Sequence, residues 1–315
     1  MFLSPLIGRR TGTSRRVRRH LVRHSFRQAL ERAGLPEMVR RLPLSGTDGD
    51  PFMGGVAMSV TIVRDVDRGC LSLKMFGGFR VQAPGSGRDV PIPIRKGQAL
   101  LAYLARRPDE AHPRDKLATL LWGDMPQALA RHSLRQALCV LRAALPEAAA
   151  SVIRAGTEDI TVDSTRVAID VVDFERLADD GTSESLEKAA ALYRGEFLDG
   201  IAVDEPIFED WLREERAQLH EAALSVLARL LRLQRDAGLV ESAIQTGLRM
   251  LRIDPLQEVV HRSLMRLYAS AGRPGAALDQ YQLCVRMLRR EFGAAPEPET
   301  ERLMREILPP GSRQP

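Results

Sequence analysis

Between Pro113 and Leu145 the sequence encodes a short helix, a Trp122-Gly123-Asp124 turn and a longer helix whose apolar residues fall on one line. Leu134, Leu138, Leu141 and Leu145 recur at steps of four, three and four, which makes a single core-facing seam. At about 100° per residue, His132, Gln136 and Ala143 project opposite the seam, and Arg131, Arg135 and Arg142 run along one flank. A helix patterned this way packs on a small domain and holds guanidinium and amide groups outward. Entry into a DNA major groove needs that arrangement. An ordinary amphipathic surface helix shares the periodicity, so the flanking segments must decide between the two.

Upstream, Leu71, Leu73 and Met75 alternate, Gly77-Gly78 permits a turn or bulge, and Phe79-Arg80-Val81 continues extended. Residues 84–89 predict a turn, and residues 90–94 a short strand whose prolines confine it to an edge. A helix is expected over 96–106 with Leu100, Leu101 and Leu104 inward, then a loop over 107–113. The helix 114–121 follows, with Trp122 as a core anchor of the turn and Asp124 placed to cap the long helix. Extended runs over 151–154 and 159–169 turn at Gly156 and at Asp163-Ser164. The order β-β-β-α-α-α-β-β describes a winged helix-turn-helix of the response-regulator type, with strands ahead of its helices.

Beyond residue 172 the pattern is helical nearly throughout, and it repeats at a spacing of 34. Ala237-Gly238 aligns with Ala271-Gly272, Ala243-Ile244 with Ala277-Leu278, Leu230 with Leu264, and Leu233 with Leu267. That period is the tetratricopeptide one. Each glycine ends a helix and each small alanine lets the next helix pack closely. Asp254-Pro255 marks the start of a further helix after a break. The expected fold class is therefore mainly α with small β. Residues 1–68 form a basic, disordered extension, 69–172 the winged-helix domain, and 173–315 a tetratricopeptide-like helical domain.

Charge is distributed unevenly along the 315 residues: Lys and Arg number 13 against 6 Asp and Glu in 1–68, 14 against 10 in 69–172, and 19 against 25 in 173–315. A basic front and an acidic back suit a polyanion-binding half joined to a half with another partner. Residues 1–57 crowd arginines from Arg9 to Arg27. They read as a disordered tail or as sequence ahead of a true start at Met53 or Met58, against a phosphate-gripping arm or a transit-like peptide. No apolar run reaches a membrane span and no signal peptide is expected. Cys70, Cys139 and Cys284 lie far apart with no zinc spacing, which points to reduced thiols in the cytoplasm.

Enzyme signatures are missing: there is no phosphate-cradling GxxxxGK[ST] loop, no GxSxG, no HExxH and no DxDxDG. No catalytic residue, cofactor or metal is expected. His20 and His24 stand four apart without a third ligand. The cluster Asp204, Glu205, Glu209, Asp210, Glu214 and Glu215 reads as a solvated helix start, and Cys139 as a partly buried, inert thiol rather than a redox sensor. For DNA, the base-reading candidates are Arg131, His132, Arg135 and Gln136, since Arg can fork onto guanine and Gln onto adenine. Phosphate contacts fall to Lys96, Arg114, Lys116 and Arg142, with Arg154, Thr157 and Arg166 on the wing.

These residues carry a family resemblance. The run from Arg95 to Leu104, His112-Pro113-Arg114-Asp115-Lys116-Leu117, Leu121-Trp122-Gly123-Asp124 and Arg131 to Leu138 resemble the DNA-binding domain of SARP-type bacterial activators. The run Leu192-Tyr193-Arg194-Gly195-Glu196-Phe197-Leu198, Trp211-Leu212 to Arg216, Ala271-Gly272-Arg273, Glu291-Phe292-Gly293 and Pro296 to Thr300 resemble the attached bacterial transcriptional activator domain. The resemblance covers roughly residues 70–308. It implies an OmpR-like winged helix that binds repeated double-stranded DNA sites as a homodimer and helps recruit RNA polymerase, with the reading role on Arg131 to Arg142. At the wing, Gly156-Thr157-Glu158-Asp159 departs from the Gly-Tyr pair of many relatives and sets two acids near the minor groove. The competing expectation is a tetratricopeptide adaptor whose winged helix binds protein.

Overall fold

The computed structural model describes residues 70–307, all within one compact unit, Val56–Pro315. The arginine-rich stretch, the two candidate start codons and the pair His20 and His24 lie outside the described residues.

The chain begins with β1 (Leu71–Lys74) and β2 (Arg80–Gln82), paired antiparallel around Gly77 and Gly78, whose φ values are +70° and +114°. Both angles lie in the left-handed region that favours glycine. The expected third strand over 90–94 does not form. Only the bridge Gln82–Asp89 extends the pairing, because Pro91 and Pro93 have no N–H to give a ladder. Helix α1 (Arg95–Arg106) buries Leu100, Leu101 and Leu104 as expected. Within the expected loop, His112–Pro113 forms a two-residue strand β3, too short for any alternation to betray it.

Helix α2 (Arg114–Trp122) and helix α3 (Gln127–Ala144) make the helix-turn-helix, with Trp122 buried at the turn. The seam of α3 is buried at Leu134, Leu138, Leu141 and Leu145. Asp124 does not cap α3. Pro126 holds the capping position with ψ of 138°, and no side chain accepts the first N–H groups. A 3-10 turn (Glu147–Val152) leads into β4 (Ile153–Ala155) and β5 (Asp159–Val162). With β3 these form the wing sheet in the order β3-β5-β4, Ile160 standing opposite both His112 and Ala155.

The expected run 159–169 is two strands. After the turn at Asp163, β6 (Val167–Ile169) leaves the wing and pairs in parallel with β1, Leu71 opposite Val167 and Leu73 opposite Ile169. Helix α4 (Asp170–Asp180) then begins with a buried carboxylate that accepts the N–H groups of Met75 and Phe76. Helix α5 (Ser183–Leu192) is capped by the Thr182 hydroxyl. The segment after it returns to the first sheet, where Leu198 donates to Met75, Gly77 donates to Glu196, and Phe76 bridges Phe197. A Cβ on Gly195 would stand 3.0 Å from the Gly77 Cα, so this approach needs glycine. Phe76, Phe174 and Tyr193 pack ring on ring beneath it.

The remaining helices are α6 (Pro206–Asp236), α7 (Val240–Ile253), α8 (Glu258–Ser270), α9 (Pro274–Phe292) and α10 (Pro298–Ile307). The 34-residue repeat is visible in the hydrogen bonds that end α6 and α8. Ala237 donates to Leu233 and Leu239 to Gln234; thirty-four residues on, Ala271 donates to Leu267 and Arg273 to Tyr268, with matching lengths of 3.0 and 2.8 Å. Gly238 and Gly272 sit at φ of +72° and +71°. These bonds and left-handed glycines make one helix-ending motif used twice. Ala243 and Ala277 are wholly buried. The break at Asp254 is real, but α8 starts at Glu258 rather than at Pro255. Asp254 accepts from Leu256 N–H and the Gln257 amide in between.

Candidate nucleic-acid interface

Helix α3 is fixed from below by its leucine seam and by Ala130 and Ala137. Its other side is open: Arg131, His132, Arg135, Gln136, Cys139 and Arg142 are all exposed. Cys139 is thus not the partly buried thiol expected. The third of a turn between it and the seam is enough to bring it to the surface.

Side-chain partners divide the candidate residues into two sets. Among the described residues, His132, Arg135, Gln136, Lys116 and Thr157 carry no side-chain hydrogen bond or ion pair within the chain. The others are engaged. Arg131 grips Asp115 through both Nε, at 2.5 Å, and Nη2, at 2.6 Å. This guanidinium holds the Asp115 carboxyl below the usual carboxylate range. Arg114 donates to the Gly156 carbonyl at 3.0 Å and its own N–H to the Glu158 carbonyl, so it ties the wing tip to the start of α2. Arg142 donates to the Ile153 carbonyl at 3.0 Å.

Arg154 and Arg166 both converge on the buried carboxylate of Asp163 at the base of the wing. There the Thr165 hydroxyl and N–H, together with Arg154, hold Asp163 down to about 2. Lys96 pairs with Glu205 at 2.5 Å and lies 5.4 Å from the centre of the Trp122 ring. Its ammonium faces the helical domain, apart from the other candidates.

A groove of about 940 Å³ runs between the start of α3 and the wing tip. It brings together Arg114, Arg131, Arg135 and Thr157, with Asp115, Glu158 and Asp159 on the same walls. Sequence reasoning missed two groups here. Asp115 is one: no periodicity announces an ion pair across sixteen residues. Leu129 is the other, 56% exposed and on the same face of α3 as Gln136. An outward leucine beside an amide suits the methyl group of thymine.

The acidic cluster is only in part the solvated helix start expected: Asp204, Asp210 and Glu214 are exposed. Glu205 and Glu215 are instead buried, and both face the winged helix. Glu205 takes Lys96 and the Gly123 N–H, while Glu215 shares Arg106 with Glu175. Burial tends to lower the Arg106 pKa, but its two carboxylates outweigh that and raise it. Trp211 packs its ring against Tyr103 at 4.8 Å. These contacts seat α6 on α1 and on the turn between α2 and α3. No group of metal-ligating side chains occurs among the described residues, and no described helix is long and apolar enough to cross a membrane.

The model of the bacterial transcriptional activator domain matches residues 162–308, from the last wing strand to the end of α10. The chain is similar to SARP-type regulators. It is 25% identical to regulatory protein AfsR of Streptomyces coelicolor over 77% of its own length and 24% of that protein, so it spans about a quarter of this larger relative. It is 26% identical to transcriptional regulator RedD of the same organism over 76% of this chain and 71% of that one. The solved structure of Mycobacterium tuberculosis EmbR in complex with a low-affinity phosphopeptide superposes with a TM-score of 0.55 at 22% identity. That likeness covers 76% of this chain and 65% of that one, and it shows a shared fold. Within this chain, Glu205, Glu215 and Trp211 couple the region that matches the transcriptional activator domain to the helices ahead of it.

Proposed function

We propose that this chain is a SARP-type regulator, a sequence-specific DNA-binding activator, non-enzymatic and cytoplasmic, that reads the major groove with α3. The observation that carries the reading is the free outward set on α3. His132, Arg135 and Gln136 stand unpaired on one face of a helix whose other face is locked into the core, beside a wing that reaches past the same groove. Unpaired guanidinium, imidazole and amide groups on a rigid helix suit base edges, and Leu129 is the one large apolar side chain exposed on α3, whereas a protein-binding face would be more broadly apolar there. Lys116 and Thr157 are the free groups placed for phosphate. Arg114, Arg142, Arg154 and Arg166 shape the wing, and only their remaining N–H groups are available to DNA. Two copies on repeated half-sites would double the contact, as in other helix-turn-helix dimers. The helical domain supplies the surface for the second copy or for RNA polymerase.

The test is binding of the full chain to DNA upstream of its own gene and its neighbours, titrated against random duplex at two salt concentrations and footprinted. Protected repeats with an excess over random DNA at both salts are the expected outcome. Equal, weak binding that collapses with salt would leave only a basic surface.

A further inference from the structure

The pair Asp115–Arg131 joins the start of α2 to the second turn of α3 at the mouth of the groove beneath the wing. Both side chains are about half exposed. An isolated surface ion pair does little for a fold, so the interest lies in its geometry. A guanidinium carries five N–H donors in one plane. Asp115 takes the Nε–H with one oxygen and an Nη2–H with the other. The edge left over offers one N–H from Nη1 and one from Nη2, side by side and parallel. Guanine alone among the bases presents two adjacent acceptors, O6 and N7, on its major-groove edge.

We propose that Asp115 is a positioning residue for base reading, holding the Arg131 guanidinium so that its free edge is offered to guanine. The inference rests on the DNA-reading role proposed for α3. Arg131 without its carboxylate is a long, flexible cation able to drift to phosphate or toward Glu158 at the wing tip, whose charge also acts on it. With the carboxylate it has one orientation, set by two helices that share a buried core at Leu117, Leu121, Leu134 and Leu138. Arg135, one turn along, has no such partner and stays free to choose between base and phosphate. Asp115 also carries a negative charge toward the DNA, so it works against binding to phosphate alone. Discrimination and raw affinity therefore part company at this residue.

The experiment selects bound duplexes from a pool with a randomised core, using the full wild-type chain and then the variants D115A, D115E and R131A. Thermal melts run alongside confirm that each variant is folded. The expected result is that R131A and D115A lose the preference for the same single G·C pair, by roughly five- to 150-fold, and keep the preferences at other positions. D115A should bind random duplex as well as wild type or better, and D115E, which keeps the carboxylate, should restore part of the lost preference. The proposal is overturned if D115A keeps the preference that R131A loses. It is equally overturned if D115A weakens every duplex alike, the mark of a purely structural role. If the wild-type chain selects no sequence, the base-reading role of α3 fails first, and this inference falls with it.

Discussion

Lys96 and Glu205, 109 residues apart, meet at 2.5 Å, and the other oxygen of the same carboxylate accepts the Gly123 N–H at 3.1 Å. One side chain of the transcriptional activator domain thus holds both the first helix of the winged domain and the turn that sets the angle of α3. Glu205→Ala leaves a partly buried ammonium and a backbone N–H without their partner, and should cost about 1–3 kcal/mol of stability. Replacing Lys96 and Glu205 together by methionine should cost less than Glu205→Ala alone. Urea unfolding of the three chains measures this. A double variant no more stable than the single one would mean that the pair does not bind the halves together.

Arg135 and Lys116 are both unpaired cations, but on different faces. Arg135→Ala should lose about 1–3 kcal/mol of binding to the preferred site and little to random DNA. Lys116→Ala should weaken all duplexes alike and lower the slope of log affinity against log salt by about 1. Titration at several salt concentrations separates the two, and identical behaviour on both DNAs would remove the division of roles.

The three cysteines should react in a fixed order. Cys139 is exposed on α3, Cys70 is half-buried with its Sγ toward the Thr165 carbonyl, and Cys284 is buried with its thiol pushed up to about 12. At neutral pH a thiol alkylating reagent should modify Cys139 first and Cys284 only on unfolding, as read by peptide mass spectrometry. Bound DNA should protect Cys139, which lies on the same face as His132. Unchanged labelling in a saturated complex would place the DNA elsewhere.

His112 is 3% exposed, and neither ring nitrogen has a hydrogen-bond partner. Burial lowers its pKa from 6.5 despite the nearby charge of Glu110, and His261 is lowered in the same way. The folded state therefore takes up a proton less readily than the unfolded chain. Stability is full above 6.5 and is lost as pH falls from there through the folded values. The melting midpoint should drop across that window. His112→Phe, which keeps a ring against Tyr103, should flatten part of the drop. A variant with the wild-type pH profile would exclude His112 as its source.

What the sequence makes legible is whatever repeats locally. The leucine seam of α3, the wing turn at Gly156 and the paired Ala-Gly helix ends all follow from spacing alone, because each is set by residues within a few turns of one another. The engaged charges do not. Lys96, Arg154 and Arg166 look like surface cations until Glu205 and Asp163 are brought beside them, and no period connects positions 96 and 205. The strand expected over 90–94 failed for a nearer reason: its prolines remove the donors that pairing needs. Asp124 as a cap gave way to Pro126, whose fixed φ already starts the helix.

The parallel pairing of β1 with β6, and the bond from Leu198 to Met75, also set an order of events during synthesis. At roughly 5–20 residues per second, about 6–25 seconds separate the appearance of Lys74 from that of Leu198. Early in that interval β1 gains β2 on one side, and α1, α2 and α3 are made while its other edge still waits for β6. The sheet is paired on both sides of β1 once Ile169 appears, and the contacts of Phe197 and Leu198 then close over Met75 and Phe76. A polypeptide cut short before Val167 would carry the proposed reading helix with one edge of β1 bare.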